Sequence, residues 1–317
     1  MVKVLVTGSA GFIGMHLCKS LLNDGYDVYG IDNMNSYYST TLKKDRLSKL
    51  NEYKNFNFIE ADICDELKIA SVFQKFKPQK VVNLAAQAGV RYSLENPKAY
   101  VDSNVLGFMN ILESCRHYDV EGLIYASSSS VYGGNTKVPF SIYDNVDKPI
   151  SIYAATKRAN ELMAYTYAHL YGLNSTSLRF FTVYGPWGRP DMAMYIFAEK
   201  ILKGKPIFVF NQGKMKRDFT FINDIVEGIK LSIENNYHYE IFNLGNNKSE
   251  NLMDLINLIE TCLDKKAQIE YLGMQPGDVK QTFADIEYSI EKLNYNPKTT
   301  INEGVPKFIS WFMSYNK

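Results

Sequence analysis

The sequence predicts an α/β fold in which a doubly wound parallel sheet is followed by a smaller C-terminal α/β substrate domain. Two observations carry this expectation. The chain opens on an apolar run, Val2-Lys3-Val4-Leu5-Val6, which passes through a glycine-rich turn into helical spacing at Leu17, Leu21 and Leu22. Further runs of strand length recur, several ending on acidic or polar residues, as buried parallel strands do when their carboxyl ends face a ligand. At 317 residues the chain can bury roughly three quarters of its unfolded surface and sits where single cores divide. Two lobes are expected, 1–180 and 181–317, with Tyr239-Glu240-Ile241-Phe242-Asn243-Leu244-Gly245 returning a strand to the first near 239–247.

The glycine turn comes first. In Gly8-Ser9-Ala10-Gly11-Phe12-Ile13-Gly14, Gly8 permits the tight turn, Gly11 lets backbone N–H groups approach a pyrophosphate, and Gly14 lets the helix pack closely on the strand. The spacing is G-x-x-G-x-x-G, and alone it also fits a purely structural turn. The next strand, Val28-Tyr29-Gly30-Ile31, ends at Asp32, whose carboxylate can accept from adenosine ribose hydroxyls. A 2′-phosphate would meet a like charge there with no arginine immediately following, so NAD is expected over NADP. Phe58-Ile59-Glu60-Ala61-Asp62-Ile63 places a carboxylate to face the adenine amine, and Val81-Val82-Asn83-Leu84-Ala85-Ala86-Gln87 runs into small residues against which a dinucleotide can lie. Singly each is a strand end; in series they read as a Rossmann sheet.

Tyr153 and Lys157 then stand one helical turn apart, after the run Ser127-Ser128-Ser129-Ser130. A phenol with an ordinary pKa of about 10 is a poor base at neutral pH. A neighbouring ammonium, reinforced by a cationic nicotinamide, favours phenolate, so that a serine hydroxyl can hold a substrate alcohol while Tyr153 takes its proton. Tyr-x-x-x-Lys alone also describes a solvated pair; the glycine turn and serine run weigh against that.

These motifs, with Asp32-Asn33, Asp62-Ile63, Val131-Tyr132-Gly133 and Arg217-Asp218-Phe219, resemble the extended short-chain dehydrogenase/reductase family in order, and within it the nucleotide-sugar epimerases. Arg91-Tyr92-Ser93-Leu94-Glu95-Asn96-Pro97, the segment from Leu178 to Ala193, and Gln275-Pro276-Gly277-Asp278-Val279 look like the UDP-glucuronate 4-epimerase branch. The resemblance implies oxidation of a UDP-sugar at C4 by bound NAD, turnover of the 4-keto sugar, and return of the hydride to its other face. It implies Tyr153 as base, Ser128 as the hydroxyl-holding serine and Lys157 as ligand of the nicotinamide ribose. It adds Asn33, Asn35, Asn104, Ser127 and Phe180 to the cofactor side. On the substrate side it places Ser127, Ser129 and Arg91. Thr182, which stands where neutral-hexose enzymes commonly have asparagine, and Arg189 are implied contacts for the carboxylate.

Phe208 and Phe210 can offer aromatic surface to uracil, though core packing explains them equally. Arg217 presents a planar donor fork to diphosphate oxygens. Asp278 can accept from the ribose of UDP, with Gln275 nearby where neutral-hexose enzymes often carry arginine. Serines at 129 and 130, instead of acidic residues, weigh against a decarboxylase, and Thr182 with Arg189 against a 4-epimerase of a neutral UDP-hexose or N-acetylhexosamine. A non-catalytic nucleotide sensor is the reading from another class. In the resembling family the helices near Asn104–Tyr118 and Tyr153–Tyr171 pair across a dimer axis; an intrachain core fits the same spacing.

A net charge of +1, from 35 basic and 34 acidic residues, gives no general attraction to nucleic acid or an anionic membrane. Lys43-Lys44 and the Lys203/Lys205 pair read as solvated faces. Cys18, Cys64, Cys115 and Cys262 are widely spaced and the four histidines scattered, so neither a disulfide framework nor a metal site is expected. With no cleavable leader pattern and no apolar run of membrane-spanning length, a soluble cytoplasmic protein is expected.

Overall fold

The structure, a computed structural model, describes residues 2–275 and 277–316. Met1, Lys317 and Pro276, the last a member of the Gln275–Val279 motif, lie outside the described residues.

Six strands follow one another through the first half: β1 (Lys3–Thr7), β2 (Asp27–Asp32), β3 (Phe56–Glu60), β4 (Lys80–Asn83), β5 (Gly122–Ser128) and β6 (Ser175–Phe180). Tyr239–Leu244 returns to pair with β6 in register Tyr239 to Ser175, completing a seven-stranded parallel sheet. From the returning strand the order runs β6, β5, β4, β1, β2, β3. The chain therefore reverses direction between β1 and β4, and a crevice opens beyond their carboxyl ends.

Strand alternation feeds both faces of the sheet. Val4 and Val6 join a cluster containing Cys18, Leu21, Ile225 and Ile229, while Leu5, Ile31 and Val81 join one containing Ile69, Phe73, Phe108 and Ile111. The helices Phe12–Asn23 and Ile222–Asn235 thus cover one face, and Glu66–Phe76 and Gly107–His117 the other. Burial on both sides is why these strands read as continuous apolar runs.

The remaining C-terminal chain builds the other wall of the crevice. Thr182–Tyr184 pairs in parallel with Phe219–Phe221, and Ile207–Val209 with Ile269–Tyr271. Behind them pack the helices Ala193–Leu202, Leu252–Leu263 and Ile301–Tyr315, through Ala198, Ile201, Leu255, Ile259, Phe308 and Phe312. Between Lys205 and Phe210, strand geometry is confined to Ile207–Val209. Among the described residues, no helix is long and apolar enough to cross a membrane.

Candidate active site

The cleft between the two walls has a volume of about 1080 Å³. That exceeds the roughly 300–1,000 Å³ usual for one small ligand and suits a dinucleotide together with a sugar nucleotide.

Its floor on one side is the turn after β1. Gly8 adopts φ +72°, and a Cβ there would stand 2.8 Å from the amide nitrogen of Ala85; a Cβ on Gly14 would collide with the Gly8 carbonyl. The helix Phe12–Asn23 can therefore start directly against the strand, and the turn fits a pyrophosphate. Gly8, Gly11, Phe12, Ile13 and Gly14 all line the cleft. Thr7 donates to Asn83 at 2.6 Å and accepts from the Ala85 N–H at 3.1 Å, tying β1 to β4 where the sheet changes direction.

Asp32 accepts from the Ala10 and Met34 N–H groups at 3.2 and 2.9 Å. Asn33 donates to Asp62 at 2.8 Å. Burial raises the Asp62 carboxyl, but hydrogen bonds from Asn33 and Cys64 outweigh it and leave the group below the usual carboxylate range. Asn35, Ile63, Leu84, Ala85, Ala86, Gln87 and Phe180 also line the cleft. Asn104 is placed differently. It is buried, exchanges hydrogen bonds with the Gln87 backbone at 2.8 and 3.0 Å, and donates to Thr156 at 3.0 Å, so it braces the cofactor wall from behind without lining it.

Lys43 corrects the expectation of a solvated basic pair. It is 4% exposed, lines the cleft, lies 3.7 Å from the Asp32 carboxylate and donates to the Asn35 carbonyl at 2.9 Å; Lys44 alone of the pair faces solvent. The helix Thr40–Leu50 buries Leu42, Lys43, Arg46, Leu47 and Leu50, a stripe at helical spacing on which both cations fall, and that spacing was readable in the sequence. Arg46, absent from the sequence-based site, bonds the Ala10 carbonyl at 3.1 Å and the Trp187 carbonyl at 2.6 Å, clasping the glycine turn to the opposite wall.

The candidate reactive groups lie at the ends of β5 and the helix Ile152–Tyr171, which Ser151 caps by accepting from Ala154 N–H at 3.1 Å. Four residues apart, Tyr153 and Lys157 share the helix face toward the cleft. Lys157 Nζ donates to the Ala126 carbonyl at 2.8 Å, and burial lowers its pKa to about 8. Burial raises the Tyr153 phenol above its ordinary value, opposed by a hydrogen bond from Ser128 and by the positive charge of Arg189. Arg189 thus brings positive charge to bear on the phenol in the protein alone. Ser128 accepts from Ser130 N–H at 3.1 Å, and Ser127 donates to Glu161 at 2.6 Å. The three serines Ser127, Ser128 and Ser129 line the cleft beside Tyr153.

Across from them lie Thr182 and Arg189. Arg189 is held by Asp191, with Nε at 3.0 Å from Oδ1 and Nη2 against Oδ2, and the Tyr37 hydroxyl donates to Asp191 at 3.2 Å. Farther along, Arg91 stacks over Phe210 at 4.4 Å and pairs with Asp278 at 3.1 Å. Phe208, 41% exposed, and Arg217 complete that end. Burial depresses Arg217, which Asp278 partly offsets. Gln275 stands apart from the cleft lining, and its carbonyl accepts from the Asp278 N–H at 3.2 Å, so it supports Asp278 through the backbone.

Fold and cleft together define a dinucleotide-dependent enzyme acting on a second, elongated ligand. A family model described as the NAD dependent epimerase/dehydratase family matches residues 4–245. Protein CapI of Staphylococcus aureus is 49% identical over 99% of each chain, and UDP-glucuronate 4-epimerase 4 of Arabidopsis thaliana is 45% identical over 99% of this chain and 76% of its own. The crystal structure of UDP-glucuronic acid 4-epimerase from Bacillus cereus in complex with UDP-glucuronic acid and NAD is similar with a TM-score of 0.94 and 34% identity, covering 99% of this chain and 100% of its own. The chain belongs to the NAD dependent epimerase/dehydratase family, an NAD-dependent branch of the extended short-chain dehydrogenases/reductases.

Proposed function

We propose that the protein interconverts UDP-glucuronate and UDP-galacturonate by epimerisation at C4, with NAD retained through the cycle. The observation that carries this reading is the meeting, in one cleft, of Tyr153 and Ser128 with Thr182 and Arg189: a base for an alcohol opposite donors for a carboxylate. The likeness to proteins named UDP-glucuronate 4-epimerase supports it.

Ser128 holds the C4 hydroxyl while Tyr153, as phenolate, takes its proton; Lys157, anchored on the Ala126 carbonyl, binds the nicotinamide ribose. The chemistry that NAD supplies when bound is reversible storage of the C4 hydride. The 4-ketone turns in the cleft to present its other face, and Tyr153 returns the proton as the alcohol re-forms. Because this ketone is a β-keto acid, the carboxylate must be held: Ser129, Thr182 and Arg189 donate to it without adding negative charge. Arg91, Phe208, Phe210 and Arg217 take the UDP end, and Asp278 accepts from its ribose while paired with Arg91.

A second reading is favoured by one contact. Asp191 already neutralises Arg189, so a neutral UDP-hexose or its N-acetyl derivative meets no unpaired cation there. Purified protein with UDP-glucuronate and NAD separates the two: UDP-galacturonate formed without CO₂ supports the uronate, whereas turnover of neutral UDP-hexoses alone, or a UDP-pentose product, overturns it.

The working unit is a homodimer. Leu106, Leu162, Tyr165 and Leu170 are each about half exposed, on the stretch ending at Leu106 and on the helix Ile152–Tyr171, and offer apolar surface to a second copy.

A further inference from the structure

Asp191 has no part in the chemistry described so far, yet it lines the cleft and holds the residue assigned to the substrate's carboxylate. Arg189 and Asp191 are 21% and 27% exposed in their side chains, so the pair is largely withdrawn from water. The contact is side-on: Nε and Nη2 each give one hydrogen to the carboxylate. A guanidinium has five N–H donors in one plane, so the hydrogens of Nη1 and the second hydrogen of Nη2 remain for another acceptor at the fork end. Tyr37, on the loop between β2 and the helix Thr40–Leu50, reaches across the cleft to fix Asp191 and packs on Tyr92 at 4.9 Å. Burial and the Asp191 charge keep that phenol a donor, with its pKa raised to about 12. Burial raises Asp191, but the charge of Arg189 outweighs it and keeps the carboxylate ionised. The plane of an otherwise flexible side chain is thereby set from both walls.

We propose that Asp191 is a positioning residue which, by fixing the plane of Arg189 with help from Tyr37, holds the carboxylate of the 4-keto sugar against loss of CO₂. The proposal rests on the UDP-glucuronate reading. Decarboxylation breaks the C5–C6 bond, releases CO₂ and leaves the electron pair at C5, delocalised onto the C4 oxygen as an enolate that solvent then protonates at C5. The abstracted hydride stays on the cofactor unless it is returned to the pentose ketone. This loss is fast only when the C5–C6 bond stands across the plane of the ketone. A guanidinium free to rotate permits that alignment, whereas one clamped side-on restrains it.

The test is the partition between UDP-galacturonate and CO₂ per C4 oxidation, measured on the NAD-loaded enzyme with UDP-glucuronate carrying ¹⁴C at C6. Asp191→Asn, which keeps the shape and removes the charged clamp, is expected to raise the CO₂ fraction at least several-fold, and Tyr37→Phe to raise it less. A partition ratio does not depend on how much enzyme is folded, so general destabilisation cannot imitate the result. An unchanged ratio in Asp191→Asn overturns the proposal, and tighter substrate binding alongside it would make Asp191 a competitor of the substrate. Wild-type enzyme inert toward UDP-glucuronate would instead sink the functional reading itself.

Discussion

Glu161 and Arg179 meet inside the protein through two hydrogen bonds of 2.9 Å, with side chains 0% and 1% exposed, directly beneath the serines of the active site. Glu161 also accepts a hydrogen bond from the Ser127 hydroxyl, and Arg179 donates to the Tyr132 hydroxyl, which donates to Asn243 on the returning strand. Three strands of the sheet are thus joined to the catalytic helix by one polar network.

Breaking one half of that pair leaves a buried charge. Glu161→Gln is expected to cost about 3–5 kcal/mol of stability, read as a drop in the denaturation midpoint. Burial raises the Glu161 carboxyl, but Arg179 and Ser127 outweigh it and hold the group below its ordinary value. Its contribution is therefore complete above the ordinary carboxylate range and is lost as pH falls through the lower folded value. Acid titration of wild type should show this loss and Glu161→Gln should not.

Tyr153→Phe is expected to remove the proposed proton acceptor and leave the cofactor cradle intact. Turnover should fall by at least about 10²-fold, with NAD still bound after gel filtration. Near-normal activity would remove Tyr153 from the mechanism.

On the proposed mechanism, Lys157 is expected to set the basic limb of the pH profile. Its ammonium loses its proton near pH 8 in the free enzyme, so kcat/KM should fall as pH rises through that value. Lys157→Met should be slow at all pH values and lack that limb.

For the carboxylate, Thr182→Ala should raise KM for UDP-glucuronate by roughly 10- to 100-fold, the worth of a hydrogen bond to a charged group. KM for a neutral UDP-hexose should hardly move. Equal effects on both would take Thr182 away from the carboxylate.

The dimer face gives a separate prediction. Leu162→Glu, at a position 51% exposed on the helix Ile152–Tyr171, should turn a dimer into a monomer by light scattering. A monomeric wild type would contradict the proposed assembly.

The sheet was legible because strands buried on both faces leave continuous apolar runs, and Gly8 and Gly14 because close backbone approach admits no Cβ. Tyr153 and Lys157 were legible through helical spacing. Asn104 looked like a ligand but spends its amide on Gln87 and Thr156, a choice set by tertiary contacts that local sequence does not record. Lys43 was masked by its place in the basic pair Lys43-Lys44, which suggests solvent, although its spacing with Leu42, Arg46, Leu47 and Leu50 marks the buried stripe. The Tyr37–Asp191 contact spans 154 positions, and nothing in either segment alone announces it.

In the proposed cycle one hydride leaves C4 and returns to the same carbon from the opposite face. UDP-glucuronate carrying deuterium at C4, incubated with the NAD-loaded enzyme in ordinary water, tests it directly by proton NMR and mass spectrometry of the product. Deuterium kept at C4 of UDP-galacturonate is the expected result; its replacement by solvent hydrogen would rule out internal return of the hydride.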